Sequence, residues 1–227
     1  MKKKIIFSGI AVVIVVAILG FIYFQGIRSE EKEVLKRLEN HPELVQNYHK
    51  IQEYKTKIQQ DPKSEPGYLV SIAFEWKSIG DLSGDSYFYE KSLEAYQQGA
   101  QKFGSQSIPF FWNGGKVAEL LHRYDVAEFN YREAIRIGPT YNESYRYLAE
   151  LYDYKLNKPT NDVLNIYKEG LKATNNDSSI FLEECSFLRR RKENPLALEC
   201  YETLVKAYPD NQGYKQIVTE LKETLKK

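Results

Sequence analysis

The chain holds three histidines, His41, His49 and His122, and only the first two are close enough in sequence to share a helical region. A metal site needs a third ligand in view, and none stands near them. Asp81, Ser83 and Asp85 alternate as calcium-loop ligands do, but the neighbouring glycine falls at the wrong place and no bidentate acid closes the loop. No nucleophile elbow, phosphate-cradling loop, dinucleotide fingerprint or zinc-protease histidine pair occurs. No residue is therefore assigned to catalysis, to a cofactor or to a metal, and the chain reads as a non-enzyme. Cys185 and Cys200 are too few for a disulfide framework and lack metal-site spacing. They fall in the two helices of one hairpin, where a single bridge is one reading and two small buried apolar residues the favoured one.

Bulk charge points away from polyanions. The formal net charge is +1, and without Lys2, Lys3 and Lys4 the acids outnumber the bases by two, so no nucleic-acid partner is expected. Those lysines precede residues 5–24, which carry no charge. At about 1.5 Å per residue a helix of that length crosses roughly 30 Å, the hydrocarbon thickness of a bilayer. The segment is expected to be a retained transmembrane helix, because the bulky Phe21, Ile22, Tyr23 and Phe24 replace the small residues that end a cleaved signal. The basic tail, residues 1–4, would then be cytoplasmic and the remainder extracytoplasmic, with secretion after signal cleavage as the alternative.

What remains to carry function is the arrangement of helices. After a charged stalk and a leading helix over residues 25–62, Tyr96, Tyr131, Tyr167 and Tyr201 recur at separations of 35, 36 and 34 residues. Four positions after each stand Ala100, Ile135, Leu171 and Val205, on the same helix face. Facing first helices offer Ala73, Gly115, Ala149 and Cys185 in register, each preceded four places earlier by Leu69, Phe111, Tyr145 or Phe181. Small residues let two backbones approach, and the aromatic residues fill the space around them. The clearest unit runs from Ile108 to Pro139, with a polar turn at His122 to Asp125 and a proline stop.

In that unit Gly115, Tyr124, Ala127, Tyr131, Ala134 and Pro139 match the tetratricopeptide repeat pattern at its separations, and the chain resembles that family over about residues 65–209. The resemblance implies an all-α, right-handed superhelical solenoid of about four hairpins (about 65–104, 108–139, 142–175 and 178–209, within 63–209), closed by a capping helix over 210–227. The first unit departs from the pattern with a long turn from Gly80 to Asp85, the third with an insertion around Asn157 to Thr160. Gly114 stands where a leucine is usual, and Glu184 and Asn194 weaken the last unit.

The resemblance also implies a concave groove lined by Val70, Phe74, Trp112, Lys116, Arg146, Glu150, Leu182 and Ser186. Trp112, beside basic groups, is its expected anchor. The expected function is that of a membrane-tethered, non-enzymatic scaffold holding a protein or peptide partner in this groove, within an envelope assembly. The alternative is an envelope-polymer binder that uses Trp112 with the anionic-partner patch Arg189, Arg190, Arg191 and Lys192.

Overall fold

The computed structural model describes residues 25–26, 28–104 and 107–226, and all regular structure among them is helical. Helix α1 covers residues 28–37. A 3₁₀ turn, Pro42–Leu44, opens α2 (Val45–Gln60). Four hairpins follow: α3 (Glu65–Ser83) with α4 (Ser86–Phe103), α5 (Ile108–Leu120) with α6 (Tyr124–Ile137), α7 (Asn142–Glu150) with α8 (Thr160–Ala173), and α9 (Ser178–Arg190) with α10 (Asn194–Ala207). Helix α11 (Gln212–Thr224) packs on α10. From α3 to α11 each helix packs on the one before it, and first helices also meet directly, α3 with α5 and α7 with α9. This is a solenoid's two-layer order, with one continuous core running its length.

The recurring tyrosines build that core as the spacing predicts. Tyr131, Tyr145 and Tyr167 are fully buried, and Tyr96 and Tyr201 nearly so. The small residues facing them are buried too, and Gly115 shows why: an added Cβ would lie 2.6 Å from a Tyr131 ring carbon. Gly114 is the looser of the pair, since a Cβ there would touch Asn130 and Tyr96 at 3.4 and 3.5 Å, ordinary contact distances.

The membrane expectation is corrected. Residues 5–24, on which it rested, lie outside the described residues. Among the described residues no helix is long and apolar enough to cross a membrane. Even α3, with 19 residues, carries Glu65, Glu75, Lys77 and Asp81. The single-pass, extracytoplasmic placement is therefore withdrawn.

Two local expectations also change. Residues 28–38 are not a free stalk, because Val34 and Leu38 are buried in the core formed with the following helices. The expected long turn after Gly80 is helix as far as Ser83: Lys77 pairs with Asp81 at 2.6 Å, the Tyr89 hydroxyl donates to Asp81 at 3.0 Å, and the left-handed Gly84 ends the helix. In the third unit α7 widens into a π-helical turn, Leu151–Lys155, before the loop to α8. That extra residue per turn turns the Asp153 carboxylate toward the end of α9.

The last hairpin lacks core bulk at Glu184, and here the bridge left open above is formed. Cys185 of α9 and Cys200 of α10 make a disulfide with Cα atoms 5.4 Å apart. Asp177 fastens α9 from its other end. It accepts from the Ser179 and Ile180 amides at 2.9 and 3.2 Å and from Asn142 of α7 at 3.2 Å. The Ser179 hydroxyl and these other donors hold its carboxyl below the usual range, so this fastening is complete above ordinary carboxylate pH and fails only as acid protonates it. The capping stripe of α11 is thinner than expected: Leu221 is buried, whereas Leu225 is 44% exposed.

Candidate partner-binding groove

The groove positions stand on the first helices, and the middle pair of hairpins gathers them. Lys116 of α5 places its ammonium 4.5 Å from the centre of the Trp112 ring and 5.0 Å from that of Tyr147. Tyr141 and Tyr147 meet the Trp112 ring edge-on at 5.6 Å each. Tyr147 in turn stacks on Tyr131 at 5.9 Å, and the Tyr131 hydroxyl donates to Glu119 at 2.5 Å. The expected anchor is thus half-buried in an aromatic box closed by its own lysine, and not a free-standing surface ring.

Beside the box lies a cavity of about 280 Å³ lined by Lys77 of α3, Lys116, Glu119 and Leu120 of α5, Tyr147 and Glu150 of α7, and Lys155. Three successive first helices contribute to it, as a groove shared between hairpins requires. Burial pushes the Glu119 carboxyl up, against the Tyr131 hydrogen bond and the charges of Lys155 and Lys116. The Glu150 carboxyl is also raised, by burial and then by the charge of Glu183, with Arg146 opposing. Arg146 itself bonds Glu183 of α9 at 3.2 Å. The covered Nε1–H of Trp112 and Nε–H of Arg146 have no acceptor among the described residues, and an unmade buried hydrogen bond costs about 1–3 kcal/mol.

The outer groove positions contribute less. Phe74 of α3 is 59% exposed and stands one turn before Lys77. Val70 and Leu182 are half-buried, and Ser186 turns its hydroxyl to that of Tyr201, 3.4 Å away. Sequence reasoning missed Tyr141, Tyr147, Glu119 and Lys155. Glu119 and Tyr147 were findable, since one lies three residues after Lys116 on the same helix and the other directly follows Arg146.

The arginine run proves to be internally engaged. Arg189 pairs with Glu220 of α11 at 2.9 Å. Arg190 and Arg191 reach Asp153 at 2.9 and 2.7 Å, and Arg191 also donates to the Lys158 carbonyl at 3.1 Å. Lys192 occupies the left-handed turn between α9 and α10, at φ 61°. An anionic polymer would have to displace these partners.

Solved structures share this arrangement. A tetratricopeptide repeat protein from Parabacteroides merdae ATCC 43184 superposes with a TM-score of 0.57 at 12% identity, over 82% of this chain and 71% of that one. The fold is that of a tetratricopeptide repeat protein. MamA from Desulfovibrio magneticus RS-1 carries the same repeat fold (TM-score 0.54, 12% identity, 73% and 87% of the two chains). So does YrrB, described as a repeat protein with an unusual peptide-binding site (0.53, 14%, 76% and 84%). No family model and no curated protein matches the sequence.

Proposed function

We propose that this chain is a non-enzymatic scaffold that holds a segment of a partner protein along the first-helix face centred on Trp112, Lys116, Tyr147 and Glu150. The observation that carries the reading is the cavity of about 280 Å³ to which three successive first helices contribute, with one aromatic wall and charges of both signs. Such a surface offers a side-chain pocket with polar groups at its rim, the usual anatomy of a peptide site. The description of YrrB as peptide-binding supports the reading by analogy of fold.

Affinity capture with the full chain, followed by identification and purification of the captured protein, tests it. Phe74→Ala and Glu150→Lys change half-exposed or exposed positions and leave the core intact. A partner bound by the parent should lose roughly tenfold or more in affinity with Glu150→Lys, and Trp112→Ala should cost about 2 kcal/mol of binding. A partner held equally by the parent and by all three variants would place its contacts elsewhere and reject this groove.

A further inference from the structure

The opposite face of the solenoid carries trenches between successive second helices, and the repeat lets one trench be read from another. In the first unit the floor is Leu69, Ile72 and Trp76 of α3, and α4 supplies Lys91 and Ala95 to the wall. Helix α1 covers one end of this trench, leaving about 460 Å³ beside it. It is held there by Glu30, which pairs with Lys55 of α2 at 3.7 Å and Lys91 of α4 at 3.9 Å. Arg37 adds a 2.8 Å pair with Asp85 and lies 4.3 Å from the centre of the Tyr87 ring. Apolar contact comes from the buried Val34 and Leu38. The chain thus shows what such a trench accepts: a short amphipathic helix laid across α2 and α4, the helices on either side of α3.

The same positions in the last unit are Phe181, Glu184 and Leu188 of α9 with Leu196 and Cys200 of α10, and all five line a cavity of about 340 Å³. Through Phe181 and Thr203 it continues into a second cavity of about 390 Å³ that ends at Tyr208. Among the described residues, α8, α9, α10 and the flanking Asn176 and Tyr208 contribute to the lining of these cavities, and Leu196 and Tyr208 are 47% and 46% exposed. Charge distinguishes the two ends. Where the covered trench has Ile72 and Lys91, the open one has Glu184 and Leu196, with Glu199 as a second acid and Lys168 as the one cation in its lining.

We propose that the open trench over α9 is a second docking surface, for an amphipathic helix of another protein that carries a lysine or arginine to Glu184. Leucine-like side chains fill the space between Phe181, Leu188 and Leu196, where burial of apolar area drives association. The cation answers a half-buried carboxylate whose charged form is disfavoured by burial and favoured, among the described residues, by Lys168. A second copy's α1 is a poor occupant, because its Glu30 would face Glu184 and Glu199 in place of two lysines.

The test uses the full chain and two labelled, lactam-bridged helical peptides of about three turns. Both have leucines along one face, and they differ in bearing arginine or glutamate at its edge. Fluorescence anisotropy should show the arginine peptide binding the parent, and the glutamate peptide binding about tenfold more weakly or worse. Leu196→Glu, a change at an exposed site, should abolish binding, and Glu184→Gln should weaken it about tenfold. A control, Phe129→Glu on the exposed face of α6, should leave it unchanged. Equal affinity for both peptides, no binding of either, or binding that survives Leu196→Glu would overturn the proposal. So would self-association of the parent that Leu196→Glu abolishes, since that would assign the face to a second copy.

Discussion

Gly115→Val should split the array. The Cβ alone would lie 2.6 and 2.8 Å from two ring carbons of Tyr131, and the branched side chain adds two more methyl groups to the collision. That ring has nowhere to go. It is fully buried, stacked on Tyr147 at 5.9 Å and tied through its hydroxyl to Glu119 at 2.5 Å. Separating α5 from α6 enough to admit the side chain costs about 3 kcal/mol, as overpacking in a rigid core does. Because a solenoid's units are stabilised by their neighbours, damage in the second hairpin disconnects α1–α4 from α7–α11. Scanning calorimetry should show the main transition lowered by roughly 10 °C and divided in two. A single transition at the parent's temperature would mean that the close approach of α5 and α6 matters less than the geometry implies.

This contact was legible in the sequence because it repeats. A small residue facing a tyrosine at four equivalent places is a statement about packing that survives without coordinates, and each predicted pair is in the core. Single events were not legible in the same way. The helical course of residues 80–83 depends on Lys77, Asp81 and Tyr89 meeting across two helices. The burial of α1 depends on a trench that exists only once α2, α3 and α4 are assembled. Loop-forming residue types at Gly80 to Asp85 were therefore read as a turn, and a charged α1 as a stalk. At the groove, Trp112 and Lys116 were named from the resemblance and touch as a same-helix pair within α5, yet the tyrosines enclosing them, Tyr141 and Tyr147, come from the next unit.

Asp153→Ala should do the most damage among single polar changes. Its carboxylate is only 7% exposed and receives both Arg190 and Arg191, so its removal leaves two guanidiniums facing a gap between the third and fourth hairpins. Hydrogen bonds to charged groups contribute about 1.5–3 kcal/mol, and partial exposure of both arginines places the expected loss near 2 kcal/mol. Asp153→Asn, which keeps one acceptor and the volume, should recover part of it. A second readout distinguishes this cluster from a ligand site: with its anion gone, the chain should be retained longer than the parent on a polyanion column. Unchanged stability and unchanged retention together would show that the arginines are held by other contacts. The run Arg189 to Lys192 looked like a surface patch because its anion lies 37 and 38 residues upstream, in a helical turn of a kind that leaves no sequence signature.

The bridge between Cys185 and Cys200 has a mechanical consequence. Stretched between its ends, a solenoid peels away unit by unit, and each freed hairpin lengthens the molecule by its full contour. The disulfide encloses a sequence separation of 15 residues, spanning the turn between α9 and α10. At about 3.4 Å per extended residue it withholds roughly 50 Å of chain from any pull applied beyond it. Reduced, the last hairpin is an ordinary extensible unit. Oxidised, its segment from Cys185 to Cys200 bears load as a closed loop of fixed length, transmitting tension from α11 to α8 while the enclosed turn stays slack.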